Sequence, residues 1–87
     1  MKEMLASIGF YKEEMEELDG KFDAINKNKI IKIIVLLKRY HCSNEFMREV
    51  VVNYYRFESL DFDRLEFIIE SIIANGDDIE DTLLELL

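Results

Sequence analysis

Three stretches of the chain resemble one another at a spacing of about 32 to 35 residues. Residues 7–18 align with residues 40–50, and residues 74–83 repeat part of the same pattern. Apolar helical patterns separate these stretches. A period in this range is typical of stacked helix pairs, because a single pair cannot bury its apolar face alone. The sequence therefore predicts two and a half units, at residues 7–40, 41–74 and 75–87.

The composition predicts one small helical domain, residues 1–87. Hydrophobic residues make up 49% of the chain, which argues against disorder despite a net charge of -8. The chain has no proline, and no Asn-Gly or Asp-Gly pair stands between alternating residues, so β-hairpin signals are missing. The predicted fold class is all-α, with about five to six short helices packed as a small helix-pair repeat array or a compact bundle.

Caps and apolar spacing predict where the helices lie. The expected ranges are about 1–8, 12–20, 28–40, 44–55 and 61–75, with a last helix after residue 77. Gly9 is expected in the left-handed region at the end of the first helix, and Ser43 is expected to cap the fourth. Asp77, with Glu80 three residues later, has the spacing of a capping box. The third helix is apolar around most of its circumference and must pack on two sides.

Charge is distributed unevenly along the chain. Residues 21–41 carry a balance of +5, whereas residues 1–20 carry -4 and residues 42–87 carry -9. The basic segment 27–39 either forms a solvated strip or binds an acidic surface, such as residues 61–81 of another copy or of the same copy. The positive charge of this segment is also compatible with nucleic-acid binding. Its candidate contact residues are Lys27, Lys29, Lys32, Lys38 and Arg39.

The last predicted helix ends on apolar residues. An apolar end of this kind closes within the molecule, pairs with another copy, or continues into further chain. We therefore expect a contact surface that contains Leu83, Leu86 and Leu87. A recognition patch, or core residues with hydroxyls at the surface, is also suggested by Tyr11, Tyr40, Tyr54 and Tyr55, with Arg56 and Phe57.

Few groups of residues in the sequence suggest a nucleophile or a metal site. Cys42 is the single cysteine, which excludes an intrachain disulfide and a cysteine-cluster metal site. Adjacent His41 and Cys42 either form an activated thiol or occupy a turn, and no third orienting group is evident. The acids at residues 77–81 lack the spacing of a calcium loop and suit helix capping. No cofactor, metal or catalytic residue is predicted; the absence of a signal sequence or a long apolar run favours a cytoplasmic protein without a membrane partner.

Residues 54–84 resemble the helical repeat of the mitochondrial transcription termination factor family. The similarity lies in residues 59–65 and 73–79, and residues 7–15 resemble the junction between such repeats. The resemblance implies stacked helix pairs and nucleic-acid binding through basic surfaces. The family's proline near the end of the first helix is absent here, where Tyr54 or Tyr55 stands in its place.

The sequence as a whole predicts a non-catalytic helical interaction module that binds a protein partner or itself. A repeat-like apolar architecture without an assembled catalytic set is the physical basis for this expectation. The alternative is a nucleic-acid-binding helical repeat that uses the basic segment 27–39. A small enzyme is a more remote alternative, since no glycine-rich phosphate loop is present.

Overall fold

The computed structural model describes residues 1–87 and contains six α-helices, one 3-10 helix and no strand. The prediction of an all-α fold with five to six short helices is therefore confirmed. The helices are α1 (Lys2–Ser7), α2 (Lys12–Lys21), α3 (Ala24–Arg39), α4 (Asn44–Val52), α5 (Phe62–Ala74) and α6 (Ile79–Leu86), and the 3-10 helix is Tyr54–Arg56. None of these helices has both the length and the apolar character that crossing a bilayer requires.

α3 is the longest helix, and both α4 and α5 pack against it. It begins at Ala24, earlier than the predicted residue 28, because the Asp23 carboxylate caps it. The Asn26 backbone N–H donates to Asp23 Oδ1 at 2.8 Å. Apolar side chains on more than one face of α3 are buried, which is why two helices cover it. These side chains are Ile30, Ile33, Ile34, Leu36 and Leu37.

The junctions after α1, α3 and α5 share one backbone geometry. Each contains a residue with positive φ, namely Gly9 at 97°, His41 at 59° and Gly76 at 79°. The N–H of that residue donates to the carbonyl three residues earlier, and the next N–H donates to the carbonyl five residues earlier. This pair of hydrogen bonds is the Schellman motif. The N-cap position of the next helix lies two residues after the positive-φ residue, at Tyr11, Ser43 and Asp78.

These junctions lie in the three similar stretches of the sequence. The left-handed conformation expected of Gly9 and the cap expected of Ser43 are both present. Because the shared geometry concerns the junctions alone, the division into units at residues 7–40, 41–74 and 75–87 stays a prediction.

Two further predicted helix boundaries were wrong. Asp77 does not cap α6, because its N–H donates to the Ile72 carbonyl and completes the Schellman motif. Asp78 is the cap instead, and its Oδ1 accepts from the Glu80 N–H at 2.8 Å. α4 ends at Val52 and not near residue 55, since the chain turns at Asn53 into the 3-10 helix.

Side chains from later helices bind the first two junctions. Arg48 of α4 donates from Nη1 to the Ile8 carbonyl at 2.7 Å. The Glu80 carboxylate of α6 accepts from the Ser43 N–H at 2.9 Å and from the Ser43 hydroxyl at 2.7 Å. At each junction a charged side chain thus takes the place of water as a hydrogen-bond partner. Backbone groups at helix ends need such partners, because they have none within the helix.

We predict that Gly9→Ala destabilises the fold more than Gly76→Ala. Both substitutions force an L-residue into the left-handed region, at about 1–2 kcal/mol each. A Cβ on Gly9 would also lie 2.5 Å from Arg48 Nη1, whereas no atom lies within 4 Å of a Cβ on Gly76. Displacing Arg48 breaks its hydrogen bond to Ile8, which adds about 1 kcal/mol. Urea unfolding measures the loss in free energy of unfolding for each variant. Equal losses would show that the hydrogen bond from Arg48 to Ile8 contributes nothing to stability.

Candidate interaction surface

Three strongly exposed apolar side chains line a groove beside α4. Tyr11 is 75% exposed, Val52 is 59% exposed and Tyr55 is 66% exposed. A cleft of about 520 Å³ lies between the start of α2 and the outer face of α4. A second cleft, of about 340 Å³, lies between the end of α2, the start of α3 and the 3-10 helix. Val52 lines both clefts, and we call the two together the α2–α4 groove.

The exposure of these side chains follows from local helix geometry. Val50 and Val51 are buried on the inner face of α4, so the third residue of the run, Val52, must point away from the core. In the 3-10 helix, Tyr54 is buried and its hydroxyl hydrogen-bonds Asn26 Oδ1, which leaves Tyr55 outside. Val52 and Tyr55 are therefore apolar residues at exposed positions, where packing of the core does not require an apolar side chain.

The groove is lined by more acids than bases. Its five carboxylates come from Glu14, Asp23, Glu45, Glu49 and Glu58. Its two cationic groups belong to Arg48 and Lys21. Arg48 is bound to the Ile8 carbonyl, and the Lys21 ammonium lies 5.7 Å from the centre of the Phe22 ring. The formal charge of the lining is therefore negative.

The structure does not bring the predicted basic residues together as one free surface. Lys27 Nζ lies 3.3 Å from Asp19 Oδ2. Lys29 Nζ donates to the Glu58 carbonyl, and Lys38 Nζ donates to the Ser7 hydroxyl, each at 2.7 Å. Three of the five cations thus connect parts of the same chain.

The other two basic residues, Lys32 and Arg39, are exposed on α3. They are seven residues apart and share one face, with the partly exposed Val35 between them. Neither forms an ion pair or a side-chain hydrogen bond within the molecule. This pair is what remains of the basic strip predicted from the sequence.

The three leucines predicted as C-terminal contacts occupy different environments. Leu83 is fully buried in the core and cannot contact a partner directly, because α6 turns this side chain inward against the rest of the fold. Leu87 is half-buried against the core, whereas Leu86 is 61% exposed. Leu86 and Phe67 line a separate cleft of about 250 Å³ between α5 and α6.

Sequence reasoning missed Val52 and the carboxylates opposite Tyr11. Of the four tyrosines considered as a patch, Tyr11 and Tyr55 lie in the groove, while Tyr54 is in the core. A signal for Val52 was present, since three consecutive valines exceed what one face of a single helix can bury. The acids of the groove carried no such signal, because they resemble any solvated helix face.

His41 and Cys42 do not form an activated thiol. His41 is exposed and holds the left-handed position of the second junction. Burial, together with the nearby carboxylates of Glu80 and Asp78, raises the pKa of the Cys42 thiol to about 11. A nucleophilic cysteine requires the opposite shift. No group of three metal-ligating side chains is assembled elsewhere in the molecule.

We predict slow alkylation of Cys42 in the folded protein. At pH 8 the thiolate fraction is on the order of 100-fold smaller than in the unfolded chain, because the folded thiol has the higher pKa. Iodoacetamide labelling followed by mass spectrometry compares the folded protein with the same protein in urea. Equal labelling rates in the two states would contradict the raised pKa.

No protein-family model, curated protein or solved structure matches this chain. The resemblance to the mitochondrial transcription termination factor family therefore stays a prediction from residues 7–15 and 54–84.

Proposed function

We propose that this chain is a non-catalytic interaction module that binds another protein through the α2–α4 groove. The observation that carries the proposal is the exposure of Tyr11, Val52 and Tyr55, which line two clefts that share Val52. Burying apolar surface on binding is favourable by about 25 cal/mol per Å². Contiguous exposed apolar surface marks interaction sites, and tyrosine is among the side chains that contribute most at interfaces.

The shape of the groove suits a polypeptide. Small-molecule sites enclose most of their ligand, whereas both clefts of this groove are open to solvent. An amphipathic helix laid between two helices is a common mode of peptide recognition. Catalysis has no support here, because His41 and Cys42 lie outside the groove.

Self-association through the same groove is the second form of this proposal. Nucleic-acid binding through the basic segment has less support, since Lys27, Lys29 and Lys38 are engaged within the chain. Sedimentation equilibrium at two salt concentrations distinguishes a self-associating protein from a monomer that needs another partner.

We predict that peptides selected by this protein from a random display library depend on Val52. The Val52→Asp substitution places a charge among the exposed apolar side chains and is expected to weaken binding at least about tenfold. Phe67→Asp is the matched control, because Phe67 has a similar exposure of 61% and lies in the cleft between α5 and α6. Fluorescence anisotropy measures the affinities, and circular dichroism checks that both variants fold.

Selected peptides that lose binding to Phe67→Asp and keep binding to Val52→Asp would move the site to the other cleft. A library that yields no peptide for the unmodified protein would remove the interaction-module proposal.

A further inference from the structure

We infer that the occupant of the α2–α4 groove is a basic amphipathic segment of a partner protein. This inference rests on the proposed function and adds the chemistry of the partner. It depends on how charged and apolar side chains are ordered along the groove, and on which of them lack a partner within the molecule.

Three of the five carboxylates of the groove, those of Glu45, Glu49 and Glu58, have no partner within the chain, whereas the Asp23 carboxylate caps α3. Only one ion pair is present in the whole chain, Lys27 with Asp19, and it lies outside the groove. Glu45 and Glu49 accept no side-chain or backbone hydrogen bond through their carboxylates. Glu14 accepts one, from the Tyr11 N–H at 3.0 Å. The two cations of the lining, in contrast, already have partners within the chain.

The acids and the apolar side chains follow one another along α4. Glu45, Glu49 and Val52 are spaced by four and three residues, so they lie in one row on the helix surface. Tyr55 continues the apolar part beyond the end of α4, and Tyr11, the residue before α2, lines the same cleft as the row. A segment that fits this order has apolar side chains on one face and Lys or Arg beside them.

A partner of positive charge is favoured over a second copy. Each copy carries a net charge of -8, so two copies repel at long range. The free basic groups that a second copy offers on α3 are few, Lys32 and Arg39. A cationic segment is instead attracted by the whole protein, which raises the association rate and makes it sensitive to salt.

Two peptides of opposite charge test the inference. Both have about 18 residues, or roughly 27 Å of helix, with leucines on one face. The other face carries lysines in the first peptide and glutamates in the second. Fluorescence anisotropy of each labelled peptide with the protein of residues 1–87 is expected to show binding of the Leu/Lys peptide that weakens with salt, and no binding of the Leu/Glu peptide.

Matched variants locate the binding. Glu45→Gln with Glu49→Gln is expected to weaken the Leu/Lys complex at least about fivefold, since two carboxylates of the row are lost. Glu70→Gln with Glu85→Gln changes the net charge equally on α5 and α6 and is expected to have less than about a twofold effect. Val52→Asp and Phe67→Asp provide the same comparison for the apolar contacts.

The possible outcomes separate the inference from the proposed function. Equal weakening by both glutamine pairs would mean attraction by net charge alone and would overturn the inference. Val52-dependent binding of the Leu/Glu peptide would overturn it too, but the groove would keep its proposed function. No binding of the Leu/Lys peptide, or self-association that blocks the groove, would also overturn it. Binding that depends on Phe67 and not on Val52 would overturn both proposals.

Discussion

Burial of α3 on two sides is the constraint on which the rest of this structure depends. Each of its buried aliphatic side chains contributes roughly 1.5–3 kcal/mol of transfer free energy, so leaving either side uncovered would cost much of the stability of a small domain. α4 and α5 cover it, and side-chain hydrogen bonds then hold α1 and the 3-10 helix near its two ends. Lys38 holds the end of α1 through Ser7, and Asn26 holds the 3-10 helix through Tyr54. The outer face of α4 is what this arrangement leaves exposed.

Local sequence signals were sufficient to predict the positions of the helices, but they predicted only some of the helix ends correctly. Gly9 and Ser43 could be placed from the sequence, because positive φ and side-chain capping are properties of single residues and their immediate neighbours. Asp77 and Asp78 are both good caps, and only the hydrogen bond from the Asp77 N–H to Ile72 decides between them. The early start of α3 was missed because the apolar pattern begins later than the helix does.

The groove could not be predicted from the sequence, because its residues come from segments far apart in the chain. Tyr11 and Val52 are separated by about half the sequence, and no periodicity relates them. The charge count of residues 21–41 was a poor guide to a binding surface for a similar reason. A segment with a balance of +5 reads as a basic surface, yet three of its cations are used within the fold, and one of these, Lys29, binds a backbone carbonyl that no charge pattern reveals.

α2 contains no fully buried side chain, although Met15 and Leu18 pack against the edge of the core. Among the other helices it contacts α1 most extensively, and its one ion pair joins Asp19 to α3. A helix with so little buried surface opens locally at a lower free energy than global unfolding requires. Because α2 forms one wall of the groove, the width of the groove depends on this local opening. The affinity for the proposed partner would therefore include the fraction of molecules whose α2 is suitably placed, and substitutions in α2 far from the contact would alter that fraction.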